Sequence, residues 1–275
     1  MKQLLGIFIL AVLSLFFAAP FSYAQSKAPA GSTESSSGQA VNLTAKAAVL
    51  IEGNSGEIIL EKNKDTELVP ASITKIMTLT LIMEALEEGK IQLTDSVSVS
   101  EYAASMGGSQ VFLEPNETQT VDTMIKCISI ASANDAAVAM AEKIAGSEPN
   151  FVKKMNEKAK ELGCTNSHFA NPHGYHNENH YTTARDMSLI VSAAMDNEII
   201  SEIAAEKSFS GNSLGNLKDQ HPDAITNEYN WKSHNLLIAA GSEYNYEYAT
   251  GFKTGFTDEA SDCVAATAEK DGAKL

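Results

Sequence analysis

Residues 69–90, VPASITKIMTLTLIMEALEEGK, constrain the fold more than any other stretch of this chain. Ile76, Leu79, Met83 and Leu86 recur at helical spacing, and the positions between them are mostly apolar or small. A helix with so little polar surface belongs in an interior, with other elements packed around it. Its first turn nevertheless carries Ser72 and Lys75. Three apart on a helix, they share one face, one turn apart. A serine hydroxyl is a weak nucleophile until a base removes its proton. A lysine can be that base only if burial or a neighbouring cation brings its pKa down from about 10.4 toward neutrality. A helix N-terminus adds partial positive charge and free N–H groups that help to hold an oxyanion. The pattern predicts an α-helix from Ser72 whose start pairs a nucleophile with its base.

Strand-like stretches flank the helical middle of the chain. AKAAVLIEGNSGEIILEKN reads as two strands joined at GNSG, with the fold starting near Leu43. Residues 91–120 look irregular, with turn signals in MGGSQ and EPNE. Four segments then read as helices: TVDTMIKCISIA capped by Thr120, DAAVAMAEKIA closed by Gly146, EPNFVKKMNEKAKELG with Pro149 in its first turn and Gly163 beyond its end, and TARDMSLIVSAAM. Residues 206–249 are polar and without a clear pattern. YATGFKTGF and SDCVAATAEKDG read as strands, the second turning at Asp271-Gly272 into a short return strand. The order of strands, helices and strands indicates an α+β fold whose sheet uses both ends of the chain.

The chain has 275 residues, 44% of them hydrophobic, enough for one large domain. Its formal net charge of −15 argues against a nucleic-acid partner, since phosphate binding needs clustered Lys and Arg. Lys2, the apolar run LLGIFILAVLSLFFAAPF and the small-x-small SYA before Gln25 read as a secretory signal peptide over residues 1–24. Residues 25–42 read as a Ser/Gly-rich tether, leaving 43–275 as the folded domain. Cys127, Cys164 and Cys263 are odd in number and dispersed, unlike a disulfide framework, and read as buried free thiols. His168, His173, His176 and His180 are spaced loosely like metal ligands. Without an H-E-x-x-H or a neighbouring cysteine pattern, they are not read as a metal site.

Two further motifs accompany Ser72 and Lys75. Ser132-Ala133-Asn134 lies between two apolar helices, where a polar trio must justify its burial. Ser210-Gly211-Asn212 and Ser233-His234-Asn235 share the pattern but sit in polar stretches. Lys253-Thr254-Gly255 occurs once, at the end of a strand-like run. S-x-x-K, S-x-N and K-T-G in this order resemble the penicillin-binding proteins and serine β-lactamases. PASITKIMT, GGSQVFLEPNET, IASANDAAVAMAE, MNEKAKELG, FANPHG, HYTTARDM and GFKTGFTDEA narrow the resemblance to the low-molecular-weight, serine-type D-alanyl-D-alanine carboxypeptidases, over roughly residues 43–275.

That resemblance implies a transpeptidase-like fold: an antiparallel sheet flanked by an all-helical subdomain. It implies no metal and no cofactor. The substrate would be a peptidoglycan stem peptide ending in D-Ala-D-Ala, β-lactams would be inhibitors, and the enzyme would work on the cell-wall side of the bacterial membrane. Ser72 would attack the carbonyl, Lys75 would take its proton, and Ser132 would relay a proton to the leaving D-alanine. Asn134 would orient Lys75 and bind the substrate amide, and Lys253 and Thr254 would hold the terminal carboxylate. Gly255 would leave room for the substrate backbone, and the N–H groups of Ser72 and Phe256 would form the oxyanion hole. Related readings are a D,D-endopeptidase or transpeptidase, which differ in acceptor. A class A β-lactamase is disfavoured because no E-x-x-L-N loop follows and Ala133 stands where that enzyme has Asp. A wall-binding module without catalysis is a further alternative, against which the intact motif residues argue. In the family another strand follows the Lys-Thr-Gly hairpin and pairs with the N-terminal strand, and a β-rich domain comes after it. This sequence stops at Leu275, so it reads as truncated, with no basis for membrane attachment through its C-terminus.

Overall fold

The structure, a computed structural model, describes residues 42–212 and 228–275. The leader at 1–24 and, Asn42 aside, the tether lie outside the described residues. The chain opens with a hairpin, β1 (Ala48–Ile51) and β2 (Ile58–Lys62), closed by a turn that Glu52 organises. The Glu52 carboxylate accepts from the backbone N–H groups of Asn54 and Ser55 and from the Ser55 hydroxyl. These bonds favour its charged form and hold its pKa down to about 2, that of Ser55 first.

The apolar segment then enters the interior. A 3₁₀ turn, Ala71–Thr74, leads into α1 (Lys75–Glu87), of which Lys75 through Met83 and Ala85 are buried. The helix therefore starts three residues later than the pattern predicts. Ala71 sits at φ 48° after Pro70, and the tighter turn it begins contains Ser72. Residues expected to be irregular contain two short strands, β3 (Ser96–Ser98) and β4 (Thr118–Thr120), paired antiparallel, with the one-turn α2 (Glu101–Ala104) between them.

Three helices follow: α3 (Val121–Ser129), α4 (Asn134–Ala145) and α5 (Glu148–Glu161). Their ends are where the cap residues place them. The Thr120 hydroxyl accepts from Thr123 N–H, Gly146 closes α4 at φ 75°, and Ser147 caps α5 with Pro149 in its first turn. The alanines of α4 let it approach its neighbours closely, and Ala136 through Ala141 are fully buried. Burying side chains such as Leu79, Met83, Met124 or Phe151 contributes about 1.5–3 kcal/mol each. That core is the rigid frame on which the polar groups below are hung.

After α6 (Ala184–Met195) and α7 (Glu198–Ala204), a third antiparallel pair, β5 (Ser208–Asn212) and β6 (Glu228–Lys232), precedes β7 (Ala249–Thr257), β8 (Ser261–Lys270) and the two-residue β9 (Ala273–Lys274). The β5–β6 pair shows no pattern in the polar stretch 206–249 that contains it, and α7, just before that stretch, is not among the expected helices. Residues 43–275 make one compact unit of α+β class. Among the described residues, the strands from the two ends of the chain do not join into one sheet. β1–β2 and β7–β8–β9 are separate, tied by a 2.7 Å bond from Gly53 N–H to the Lys274 carbonyl. Between β1, α6 and β8 lies an apolar groove of about 1020 Å³, lined by Val49, Ile51, Met187, Val191 and Val264 among others. None of Ser72, Lys75, Asn134 and Lys253 lines it.

Candidate active site

Lys75 is fully buried, and its ammonium position is surrounded by acceptors. Nζ lies 3.1 Å from Ser72 Oγ, 2.7 Å from Asn134 Oδ1 and 2.7 Å from the backbone carbonyl of His173. Three distant stretches meet on one nitrogen. Burial pushes the Lys75 pKa well below the usual lysine value, and the positive charge of Lys253 pushes in the same direction. The carboxylate of Asp135 opposes both. The balance favours a neutral amine, the form in which lysine can accept the Ser72 proton.

Asn134, at the start of α4, is held at both ends of its amide. Oδ1 accepts from Lys75, and Nδ2 donates to the Gly107 carbonyl at 2.7 Å. Its backbone N–H bonds Ser109 O at 2.8 Å. Asp135, the next residue, is buried and accepts from the N–H groups of Val111, Leu113 and Ala136. Burial raises its pKa, against these three backbone donors. Two adjacent side chains thus fasten residues 107–113 along the start of α4. Gly108 sits at φ 79°, where a Cβ would fall 2.8 Å from Asn134 Nδ2, so the strand of backbone over Asn134 has no room for a side chain.

Ser132 is buried in the turn before α4 at φ 59°, a left-handed conformation unusual for a serine. Among the described residues it makes no side-chain hydrogen bond with Lys75 or Ser72, whereas Asn134 meets Lys75 directly. Strained backbone of this kind collects at functional sites. Of the competing trios, Ser210-Gly211-Asn212 is in β5, and Ser233-His234-Asn235 follows β6, where burial and then the positive charge of Lys253 lower the His234 pKa.

The opposite wall is β7, paired on one side with β8. Lys253 is 3% exposed, and burial holds its pKa down to about 8. Its Nζ donates to the Thr254 carbonyl at 2.9 Å. Thr254 is half-buried, and the Phe256 ring is exposed. The expected role of Gly255 needs correction. A Cβ there would fall 2.7 Å from Ser72 N and 3.1 Å from Ile73 N. The space is taken by the nucleophile's own turn, not left for a ligand, so this glycine brings the strand onto Ser72.

Sequence reasoning missed the loop that completes the cage. Residues 171–175, Asn-Pro-His-Gly-Tyr, supply the His173 carbonyl to Lys75 and the Pro172 carbonyl to Thr78 Oγ1 at 2.5 Å. Gly174 sits at φ 84°, where a Cβ would fall 1.8 Å from Ala71 O. The signal in the sequence is a glycine after a Pro-His pair, Pro172-His173-Gly174. Both ring nitrogens of His180, and Nδ1 of His168 and of His173, are engaged by the protein. His180 Nδ1 accepts from Ala170 N–H, which places its proton on Nε2 facing Thr74 Oγ1 at 2.9 Å. His173 Nδ1 accepts from Tyr175 N–H at 3.1 Å. Burial lowers His173 to about 3, helped by Lys75 and His180, and lowers His180 to about 4, helped by His168, His176 and Lys75. Among the described residues no three His, Cys, Asp or Glu side chains converge as metal ligands. Cys127 and Cys164 are buried free thiols as expected, whereas Cys263, on β8 opposite Gly255, is only partly buried.

A family profile described as D-alanyl-D-alanine carboxypeptidase matches residues 33–275. The chain is 44% identical over 270 residues to D-alanyl-D-alanine carboxypeptidase DacF of Bacillus subtilis, covering 98% of this chain and 64% of that protein. It is 35% identical over 245 residues to DacC of Escherichia coli, covering 86% of this chain and 56% of the relative. Among solved structures, penicillin-binding protein 5 from Haemophilus influenzae superposes with a TM-score of 0.76 at 31% identity, over 86% of this chain and 65% of the other. The chain thus spans about half to two thirds of the length of these relatives.

Proposed function

The chain belongs to the D-alanyl-D-alanine carboxypeptidase family, and we propose that it hydrolyses the terminal D-Ala-D-Ala bond of peptidoglycan stem peptides through an acyl-enzyme on Ser72. The observation that carries the proposal is a fully buried lysine whose Nζ stands 3.1 Å from a serine hydroxyl. In this reading neutral Lys75 takes the Ser72 proton as Oγ attacks the carbonyl between the two D-alanines. The N–H groups of Ser72 and Phe256 stabilise the oxyanion. Ser132 passes a proton to the departing D-alanine amine, which leaves as the C–N bond breaks. Water then cleaves the ester and frees Ser72.

Asn134 keeps Lys75 aligned and presents its amide to the substrate. Lys253, cationic below about pH 8, and Thr254 hold the terminal carboxylate of the substrate. A β-lactam presents a strained amide beside a carboxylate in the same arrangement and would acylate Ser72. The apolar leader at 1–24 supports export, with the enzyme acting on the wall side of the membrane.

The test is covalent. Intact-mass measurement after penicillin exposure should show one adduct, and peptide mapping should place it on Ser72. Ser72→Ala should abolish both the adduct and release of D-alanine from a D-Ala-D-Ala peptide. A full adduct on that variant would overturn the assignment.

A further inference from the structure

Glu148 opens α5 outside the three motifs, yet it is shielded beside the Lys75 cage. Its side chain is 13% exposed. A carboxylate taken this far out of water needs partners. Tyr102, on α2, donates its phenol to Glu148 Oε2 at 2.6 Å. That bond, first among the causes, raises the Tyr102 pKa to about 12, so the phenol stays a donor across the working range. The other oxygen, Oε1, lies 3.7 Å from His173 Nε2.

The imidazole between Glu148 and the cage has one available tautomer. Nδ1 accepts the Tyr175 N–H, so the neutral ring carries its proton on Nε2. Burial keeps the ring neutral. The Nε2–H therefore faces the Glu148 carboxylate. At 3.7 Å this is longer than a hydrogen bond and acts as electrostatic orientation of the ring. The same residue's carbonyl accepts from Lys75 at 2.7 Å. Its peptide is otherwise steered by Asn171 Oδ1, which accepts from His173 N–H at 3.3 Å and Gly174 N–H at 2.7 Å.

We propose that Glu148 is a positioning residue for the Lys75 base, acting through the His173 ring, and that Tyr102 holds Glu148 in place. The chain Tyr102, Glu148, His173, Lys75 ties α2 and the start of α5 to the nucleophile turn. It deepens the functional reading above and rests on it. No bond is made or broken along this chain. Its effect is the aim of one carbonyl.

The second-order rate of Ser72 acylation by a fluorescent penicillin, measured across pH on the full chain, reads the effect. Glu148→Ala should lower that rate about tenfold, short of the ~100-fold that a 1 Å misplacement can cost. Glu148→Gln should recover to within about twofold, because an amide oxygen still faces Nε2–H while its NH₂ donates to the Tyr102 oxygen. Tyr102→Phe should fall between the two. Imidazole ¹H–¹⁵N spectra give a readout that does not depend on acylation: a slowly exchanging Nε2–H on His173 in the parent, broadened or lost in Glu148→Ala. Parent-like rates, pH profile and spectra for Glu148→Ala would overturn the proposal. So would a Glu148→Gln variant as slow as Glu148→Ala. If the parent shows the protected Nε2–H but no Ser72 adduct, the functional reading fails while the brace stands as architecture.

Discussion

Two buried lysines face the same cleft from different kinds of structure, and their surroundings differ. Lys75 sits at the start of a core helix, with three oxygens from three separate parts of the chain around its Nζ. Lys253 sits on a strand, and its Nζ bonds the carbonyl of its own neighbour, Thr254. Both lose hydration, but the Lys75 pKa falls well below the lysine range while that of Lys253 stops at about 8. Part of the difference comes from Lys253 itself. The charge on Lys253 is the second cause of the shift at Lys75, so the strand keeps a cation that helps the helix to keep a neutral amine. The helical side is built to hold a base in one place. The strand side is built to keep a charge for a ligand to meet.

The comparison breaks most completely at Lys75. Lys75→Ala should slow acylation by penicillin about 100- to 10,000-fold, the contribution of a positioned general base, with folding retained. If Lys75→Ala acylates at the parent rate, the helical side has no special role.

The two glycines that let each side close around Ser72 rank next. Gly174→Ala meets both a left-handed backbone, costing about 1–3 kcal/mol, and an overlap with Ala71 O, costing about 1–3 more. Gly255→Ala meets only the overlap with Ser72 N, costing about 1–3 kcal/mol. Thermal unfolding should rank Gly174→Ala below Gly255→Ala and both below the parent. The reverse order would mean that the strand, not the loop, is the less forgiving wall.

A smaller effect separates the charges. Lys253→Met should raise KM for a D-Ala-D-Ala peptide about tenfold, in line with the loss of one hydrogen bond to a charged group. In the parent, KM should rise as pH passes upward through about 8, because Lys253 then loses its proton. A KM flat from pH 7 to 9 would remove Lys253 from carboxylate binding.

The smallest effect is on acid stability. His173 and His180 are held neutral, at about 3 and about 4, whereas an unfolded histidine titrates near 6.5. The unfolded chain binds more protons below that value, so the stability contributed by these neutral rings is present above about pH 6.5 and is lost as pH falls toward 4 and then 3. By pH 5.5 the loss is about 1 kcal/mol per ring. Chemical denaturation at pH 7.5 and 5.5 checks it, and replacing both rings with Gln should flatten the difference.

The parts of the fold legible in the sequence are those whose physics is local. Helical spacing in residues 69–90 announced a buried helix, Thr120, Gly146, Pro149 and Gly163 marked helix ends, and Asp271-Gly272 marked the last turn. The elements missed, α2, α7, β5, β6 and the β3–β4 pair, are short, and their existence rests on what they pack against. The site divides in the same way. Ser72 and Lys75 are neighbours on one turn, so their spacing alone brought them together.

Asn134 at Lys75, the strand at Ser72 and the His173 carbonyl at Nζ are contacts between residues 59 to 98 apart or more in the chain. No local preference encodes a backbone carbonyl as a ligand, because every residue has one. The identities of the chemical groups were written in the sequence. Packing alone decided which of them would be stripped of water together. Since the neutrality of Lys75 comes first from that burial, the protonation state of the base belongs to the tertiary structure.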